Sequence, residues 1–236
     1  MPRQDNGASR AAGGTILVWD APVRVFHWLM VLCFAGAYLS GESDEWELLH
    51  VSLGYTMAGL VVFRIAWGVV GTRYARFSNF VRGPRVVWRY LRTVLVRPEH
   101  HTGHNPAGAW AILAMLGLTL GIAVTGWILY SDPAGEPMEE VHELLANLML
   151  ALVIAHIVAV LASSWLHHEN LIAAMITGRK HGAPPDGIAR PWRALAVLML
   201  AVVLGYWWLQ WKYAVATPGT PPTAQRADAG EHDRDD

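Results

Sequence analysis

The sequence predicts an all-α integral membrane protein, a four-helix transmembrane bundle with a fifth transmembrane helix added. Two observations carry this. Of the 236 residues, 53% are hydrophobic and only 16% charged, whereas soluble domains carry about a quarter of charged residues. Apolar stretches near the ~20 residues needed to cross a ~30 Å hydrocarbon core as helix also recur along the chain. Twelve tryptophans and a mean hydropathy of +0.27 agree, because aromatic rings collect at membrane interfaces.

Taken in order, residues 1–15 are rich in Gly, Ala and Arg and lack the apolar core of a secretory signal, so they are expected to be a retained, disordered tail. Hydrophobic spans follow at 25–40, 50–71, 108–130, 141–165 and 193–214. The first is short, but Trp19 to Phe26 extends it into the interface. Residues 16–180 are expected to form the bundle, 181–215 a linker with the fifth helix, and 216–236 a disordered acidic tail. The single cysteine, Cys33, excludes an internal disulfide, a C-x-x-C-H attachment and an iron–sulfur site.

Charge sets the expected orientation. Arg73, Arg76, Arg82, Arg85, Arg89, Arg92 and Arg97 lie between spans two and three, and Arg179, Lys180, Arg190 and Arg193 lie between spans four and five. The opposite loops carry only acids: Glu42, Asp44, Glu45 and Glu47, then Asp132, Glu136, Glu139 and Glu140. By the positive-inside rule the N-terminus is cytoplasmic and the C-terminus periplasmic, in a bacterial inner membrane. Arginines at three- and four-residue intervals from Phe80 to Val96 predict an amphipathic helix on the inner surface, touching anionic lipid. A net charge of −1 offers nothing for nucleic acid.

Histidine inside a span usually faces the bundle interior. His27 falls near the inner end of span one and His50 near the outer end of span two, while His142 and His156 occupy the two ends of span four. The last two are 14 residues apart, about 21 Å along the axis and within about 40° of a whole number of turns. Two depth-matched pairs result, His27 with His156 and His50 with His142. Facing imidazoles at two depths suit two bis-histidine haems, non-covalent and hence b-type, with saturated irons that favour outer-sphere electron transfer.

Arg64 is 14 residues beyond His50, on the same face and at the level of the inner pair. It either neutralises an inner-haem propionate or snorkels to headgroups. Gly54 lies one turn after His50, and Gly117, Gly121 and Gly126 recur along span three. They either admit a flat macrocycle to the backbone or serve ordinary close helix packing. His100, His101 and His104 read as solvated loop residues, and His167 and His168 stay unassigned. Arg24 and Trp28 are guesses for a quinone site. A histidine-lined metal-ion transporter is the rival reading, although carboxylates are confined to loops and span ends.

The stretch Trp19–Trp28 (WDAPVRVFHW), the block His50–Phe77, the HNP at 104–106, and EEVHELLAN, LVIAH and HHENLIAAMITGRK within 139–180 together resemble the bacterial cytochrome b561 family, which includes the b-type cytochrome subunit of nickel–iron hydrogenases. The resemblance covers residues of about 15–180. It implies two b haems held by His27, His50, His142 and His156, with electrons passing between a quinone pool and a partner redox protein. That partner is either a periplasmic c-type cytochrome or a separate catalytic subunit that the chain anchors. The added span 193–214 suggests a docking or oligomer surface.

Overall fold

The computed structural model describes residues 14–94, 102–131 and 135–216, with the side chains of 214–216 left aside. In chain order the elements are β1 (Thr15–Leu17), α1 (Ala21–Ser40), a 3-10 turn (Asp44–Trp46), α2 (Glu47–Val70), α3 (Phe77–Phe80) and α4 (Pro84–Thr93). They continue with α5 (Pro106–Ser131), α6 (Glu136–Leu166), α7 (Leu171–Thr177), β2 (Arg179–His181), a second 3-10 turn (Pro184–Asp186) and α8 (Arg193–Ala216). Five helices are long and apolar enough to cross a membrane, namely α1, α2 with its leading turn, α5, α6 and α8. They match the five expected spans.

The helices start where capping chemistry allows. Asp20 caps α1, its Oδ1 accepting the Val23 N–H at 2.8 Å, and Pro22 fills the first turn, so α1 begins ahead of the apolar run. Prolines likewise open α4, α5 and α6. The expected helix from Phe80 to Val96 is interrupted: Phe80 ends α3, and α4 starts only at Pro84. Pro84 drives Gly83 out of the helical region, to φ −61° and ψ 156°.

Within the bundle α1 packs on α2, α2 on α5 and α5 on α6. The Tyr38 hydroxyl of α1 donates to Asn147 Oδ1 of α6 at 2.8 Å and ties the first helix to the last. Much of each long helix stays outside the protein's own core: only 6% of the most apolar stretch of α6 is buried. A face so apolar and so uncovered is what a bilayer solvates.

One feature departs from the all-helical expectation. β1 pairs antiparallel with β2, Thr15 opposite His181 and Leu17 opposite Arg179. Thr15 therefore belongs to a strand and the Gly14 carbonyl accepts from the Gly182 N–H at 3.1 Å, while residues 1–13 and the acidic tail from 217 lie outside the described residues. Ile16, Val18 and Trp19 bury themselves against Ala174, and Lys180 Nζ meets Glu169 Oε2 at 3.0 Å in the same interior. The segment before α1 is thereby clasped to the segment after α6. The chain divides into two compact units, Met1–Ala196 and Val197–Asp236, the boundary falling within α8.

Candidate functional site

At the acidic end of the bundle, His50 of α2 and His142 of α6 face each other with ring centroids 6.1 Å apart. Each ring is fixed through Nδ1. His50 Nδ1 donates to the Ala37 carbonyl of α1 at 2.8 Å, and a carbonyl can only accept. His142 Nδ1 lies 2.8 Å from Thr125 Oγ1 of α5. That hydroxyl has its own acceptors in the Gly121 and Ile122 carbonyls, at 2.9 and 3.1 Å, so it receives the imidazole N–H. Both rings are thus held in the tautomer whose Nε2 keeps its lone pair, the arrangement that a hydrogen bond from the other ring nitrogen imposes on metal-ligating histidines.

The separation suits one metal ion between the two. Two imidazoles with free Nε2 lone pairs at this distance are the donor set that a metal ion held between them would need. Local backbone also yields to the rings. A Cβ at Gly126 would sit 3.0 Å from His142 Cε1, and one at Gly41 would sit 3.4 Å from His50 Cε1. A Cβ at Gly54, one turn after His50, or at Gly117, midway along α5, would meet nothing within 4 Å. Gly121 instead faces Leu145, which is ordinary helix packing.

At the arginine-rich end, His27 of α1 and His156 of α6 are half-buried and within electrostatic range of each other. His27 Nδ1 is sealed from solvent without a hydrogen-bond partner. Its ring packs edge-on against Trp28 at 5.1 Å. A sealed imidazole nitrogen costs about 1–3 kcal/mol if left unmatched, so this ring has capacity to spare for a ligand.

Arg64 is 3% exposed and does not snorkel. Its Nη1 donates to the Ala75 carbonyl at 3.1 Å, and its guanidinium lies 4.9 Å above the Phe77 ring. Gly68, one turn later, makes room for that ring, because a Cβ there would collide with Phe77. The Asp20 carboxylate is within electrostatic range of Arg64. Of the two quinone-site guesses, Arg24 Nη1 donates to the Ile176 carbonyl at 2.5 Å, and Trp28 is 37% exposed beside His27.

A model of the prokaryotic cytochrome b561 family matches residues 18–178, most of the chain. The chain belongs to the prokaryotic cytochrome b561 family. Cytochromes of this family are membrane b-type haem proteins of electron transfer, and that much holds for this one. Among curated relatives, the probable Ni/Fe-hydrogenase 1 B-type cytochrome subunit of Escherichia coli (strain K12) is 28% identical over 212 residues, covering 70% of this chain and 90% of that protein. The probable Ni/Fe-hydrogenase B-type cytochrome subunit of Rhizobium leguminosarum bv. viciae is 25% identical over 214 residues, covering 70% and 89%. That of Cupriavidus necator is 24% identical over 224 residues, covering 74% and 91%. No solved structure gives a significant match.

Two residues of this cytochrome b561 escape the sequence reading. His104 does not lie free in its loop: its ring sits 4.6 Å from both Trp19 and Phe80, and its Nδ1 is sealed without a partner. Burial first, then the charges of Arg64, Lys180 and His156, push its pKa down to about 3. It therefore stands neutral beside the arginine-end pair. Asp20, 1% exposed, accepts from Trp67 Nε1 at 3.0 Å and Thr72 Oγ1 at 2.6 Å as well as from Val23, locking α1 to α2. Asp just before a proline-bearing first turn is the signal that could have found it. His100 and His101 lie outside the described residues. His168 is exposed at φ 50°, and His167 caps α6.

Proposed function

We propose that His50 with His142, and His27 with His156, each hold one b-type haem, and that the protein carries electrons across the bacterial inner membrane between the quinone pool and a partner redox protein. The observation that carries this is the 6.1 Å separation of two imidazoles whose Nδ1 atoms are both engaged as donors. Haem held by these histidines would supply outer-sphere one-electron transfer.

The chain's own residues do the rest. Ala37 and Thr125 orient the acidic-end rings, and burial with Trp28 orients His27. The open backbone at Gly54 leaves room for a planar group beside His50. Arg64, held at the arginine-rich end, offers positive charge to a propionate. Residues 16–180 form the electron-carrying bundle, and 181–215 add a linker and a fifth helix that serves docking or oligomerisation.

The arginine-rich end faces the cytoplasm by the positive-inside rule, with the N-terminus inside and the C-terminus in the periplasm. The exposed acids Glu42, Asp44, Glu45 and Glu47 then offer a basic periplasmic carrier, such as a c-type cytochrome, a complementary surface. A second form of this reading has a specific support: the relatives are named as hydrogenase B-type cytochrome subunits. In that form the partner is a catalytic subunit anchored by this chain, which hands its electrons to quinone.

The test is reduction of the oxidised, haem-loaded protein by a short-chain ubiquinol in detergent. The expected result is the appearance of reduced b-type bands, reversed by the matching quinone. A haem-loaded protein indifferent to both would refute the quinone assignment.

A further inference from the structure

Beyond the haem pairs, the arginine-rich end contains a cavity of about 520 Å³ between α4, the loop that follows α2, and the start of α5. That is within the ~300–1,000 Å³ of small-molecule sites. Three guanidinium groups line it, those of Arg73, Arg82 and Arg89, against the single carboxylate of Asp186. Asp186 meets Arg73 loosely, at 3.7 Å with both side chains about half exposed. Among the described residues Arg82 and Arg89 have no carboxylate partner; Arg82 Nη2 donates only to the Asn79 carbonyl, at 3.2 Å. The lining thus carries uncompensated positive charge.

Its setting is a lipid boundary. α4 shows Trp88, Leu91 and Val86 at 59%, 52% and 42% exposure while burying Tyr90, the pattern of a helix lying in an interface. Val86 and Phe80 also form apolar wall within the cavity, next to its arginines. A site whose exposed arginines lie next to apolar wall from Phe80 and Val86 matches a molecule that is anionic at one end and apolar at the other. Guanidinium forks bind phosphate oxygens bidentately, and basic pockets near transmembrane helices take phospholipid headgroups. A neutral quinone ring carries no charge to set against three guanidinium groups and wants a mostly apolar slot.

We infer that this cavity is a binding site for the phosphate of an anionic phospholipid, read by Arg82 and Arg89 with Arg73 at its edge. The site takes one headgroup from the leaflet at the arginine-rich end, and so differs from a basic surface that attracts anionic lipid in bulk. It does not depend on the haem assignments.

The other arginines of α4 supply the control. Arg85 and Arg92 do not line the cavity, and Arg92 stacks on Trp88 at 4.6 Å. R82Q/R89Q and R85Q/R92Q remove equal charge from one helix. Lipid binding to the purified full-length protein is measured by native mass spectrometry, with dioleoylphosphatidylglycerol against dioleoylphosphatidylcholine. Haem content serves as the check of folding in both variants.

The wild type is expected to retain one phosphatidylglycerol in preference to phosphatidylcholine. R82Q/R89Q should lose about fivefold in affinity per arginine removed, and R85Q/R92Q less than twofold. Equal loss in the two variants would overturn the site in favour of a diffuse basic face. Inorganic phosphate bound alone with the same variant dependence would overturn the lipid as its source. Displacement of phosphatidylglycerol by a short-chain ubiquinone would overturn it in favour of a quinone pocket.

Discussion

The two histidine pairs sit at opposite ends of one bundle, and each end orders its imidazoles by different means. At the acidic end the rings are held by directed hydrogen bonds, to the Ala37 carbonyl and the Thr125 hydroxyl, at 2.8 Å each. At the arginine-rich end His27 has no such partner and is held by burial and by Trp28, with the buried charges of Arg64, Asp20 and Lys180 nearby. An imidazole that donates its Nδ1–H is the more basic ligand and favours the more oxidised metal. If each pair holds a haem as proposed, these hydrogen bonds alone would give the two haems different potentials, the acidic-end site being the lower.

The sharpest way to break the comparison is to delete one ring from each end. H142A should remove one haem per chain and leave the spectrum of the arginine-end haem, whereas H156A should do the reverse; pyridine haemochrome content and reduced-minus-oxidised spectra measure both. Loss of both haems from either variant would show that the ends are not separate sites.

Next in size is D20N. Asp20 Oδ2 accepts from both Trp67 and Thr72, and an amide nitrogen there would face two donors. Stability should fall by about 3 kcal/mol, read as a lowered thermal midpoint of tryptophan fluorescence.

The third effect belongs to pH. His104 is depressed to about 3, from an ordinary 6.5, by burial and neighbouring positive charge. The folded state then binds fewer protons than the unfolded one. The stability is in full force above about pH 6.5 and is lost as pH falls toward 3. H104F should flatten this dependence in unfolding measured across that window.

The smallest effect probes ligand basicity. T125V removes the acceptor for His142 Nδ1–H. The lower of two midpoints in a redox titration should rise by tens of millivolts, 59 mV being about tenfold for one electron, and the upper one should stay.

How much of this was legible from sequence divides along the same physical line. Transmembrane spans depend on local composition, so α1, α2, α5, α6 and α8 could be read directly. The 14-residue spacing on span four needs only helix geometry, and it put His142 at the depth of His50, where the structure brings the rings together. The partners that orient these rings are another matter. Ala37 and Thr125 lie on neighbouring helices, and no periodicity announces which carbonyl or hydroxyl will face an imidazole. The link from Asp20 to Trp67 spans 47 residues, and the β1–β2 clasp joins strands of three residues each, too short to carry a period. His104 read as a loop residue because its burial comes from Trp19 and Phe80, which only the folded chain assembles around it.

The central claim is that four imidazoles form two separate clamps for haem, and the most direct test is to count it. Acid–acetone extraction of the purified chain, with iron and protein assayed on the same sample, should give two extractable haems per polypeptide and low-spin b-type bands before extraction. One haem per chain, or haem that stays with the protein on extraction, would contradict it.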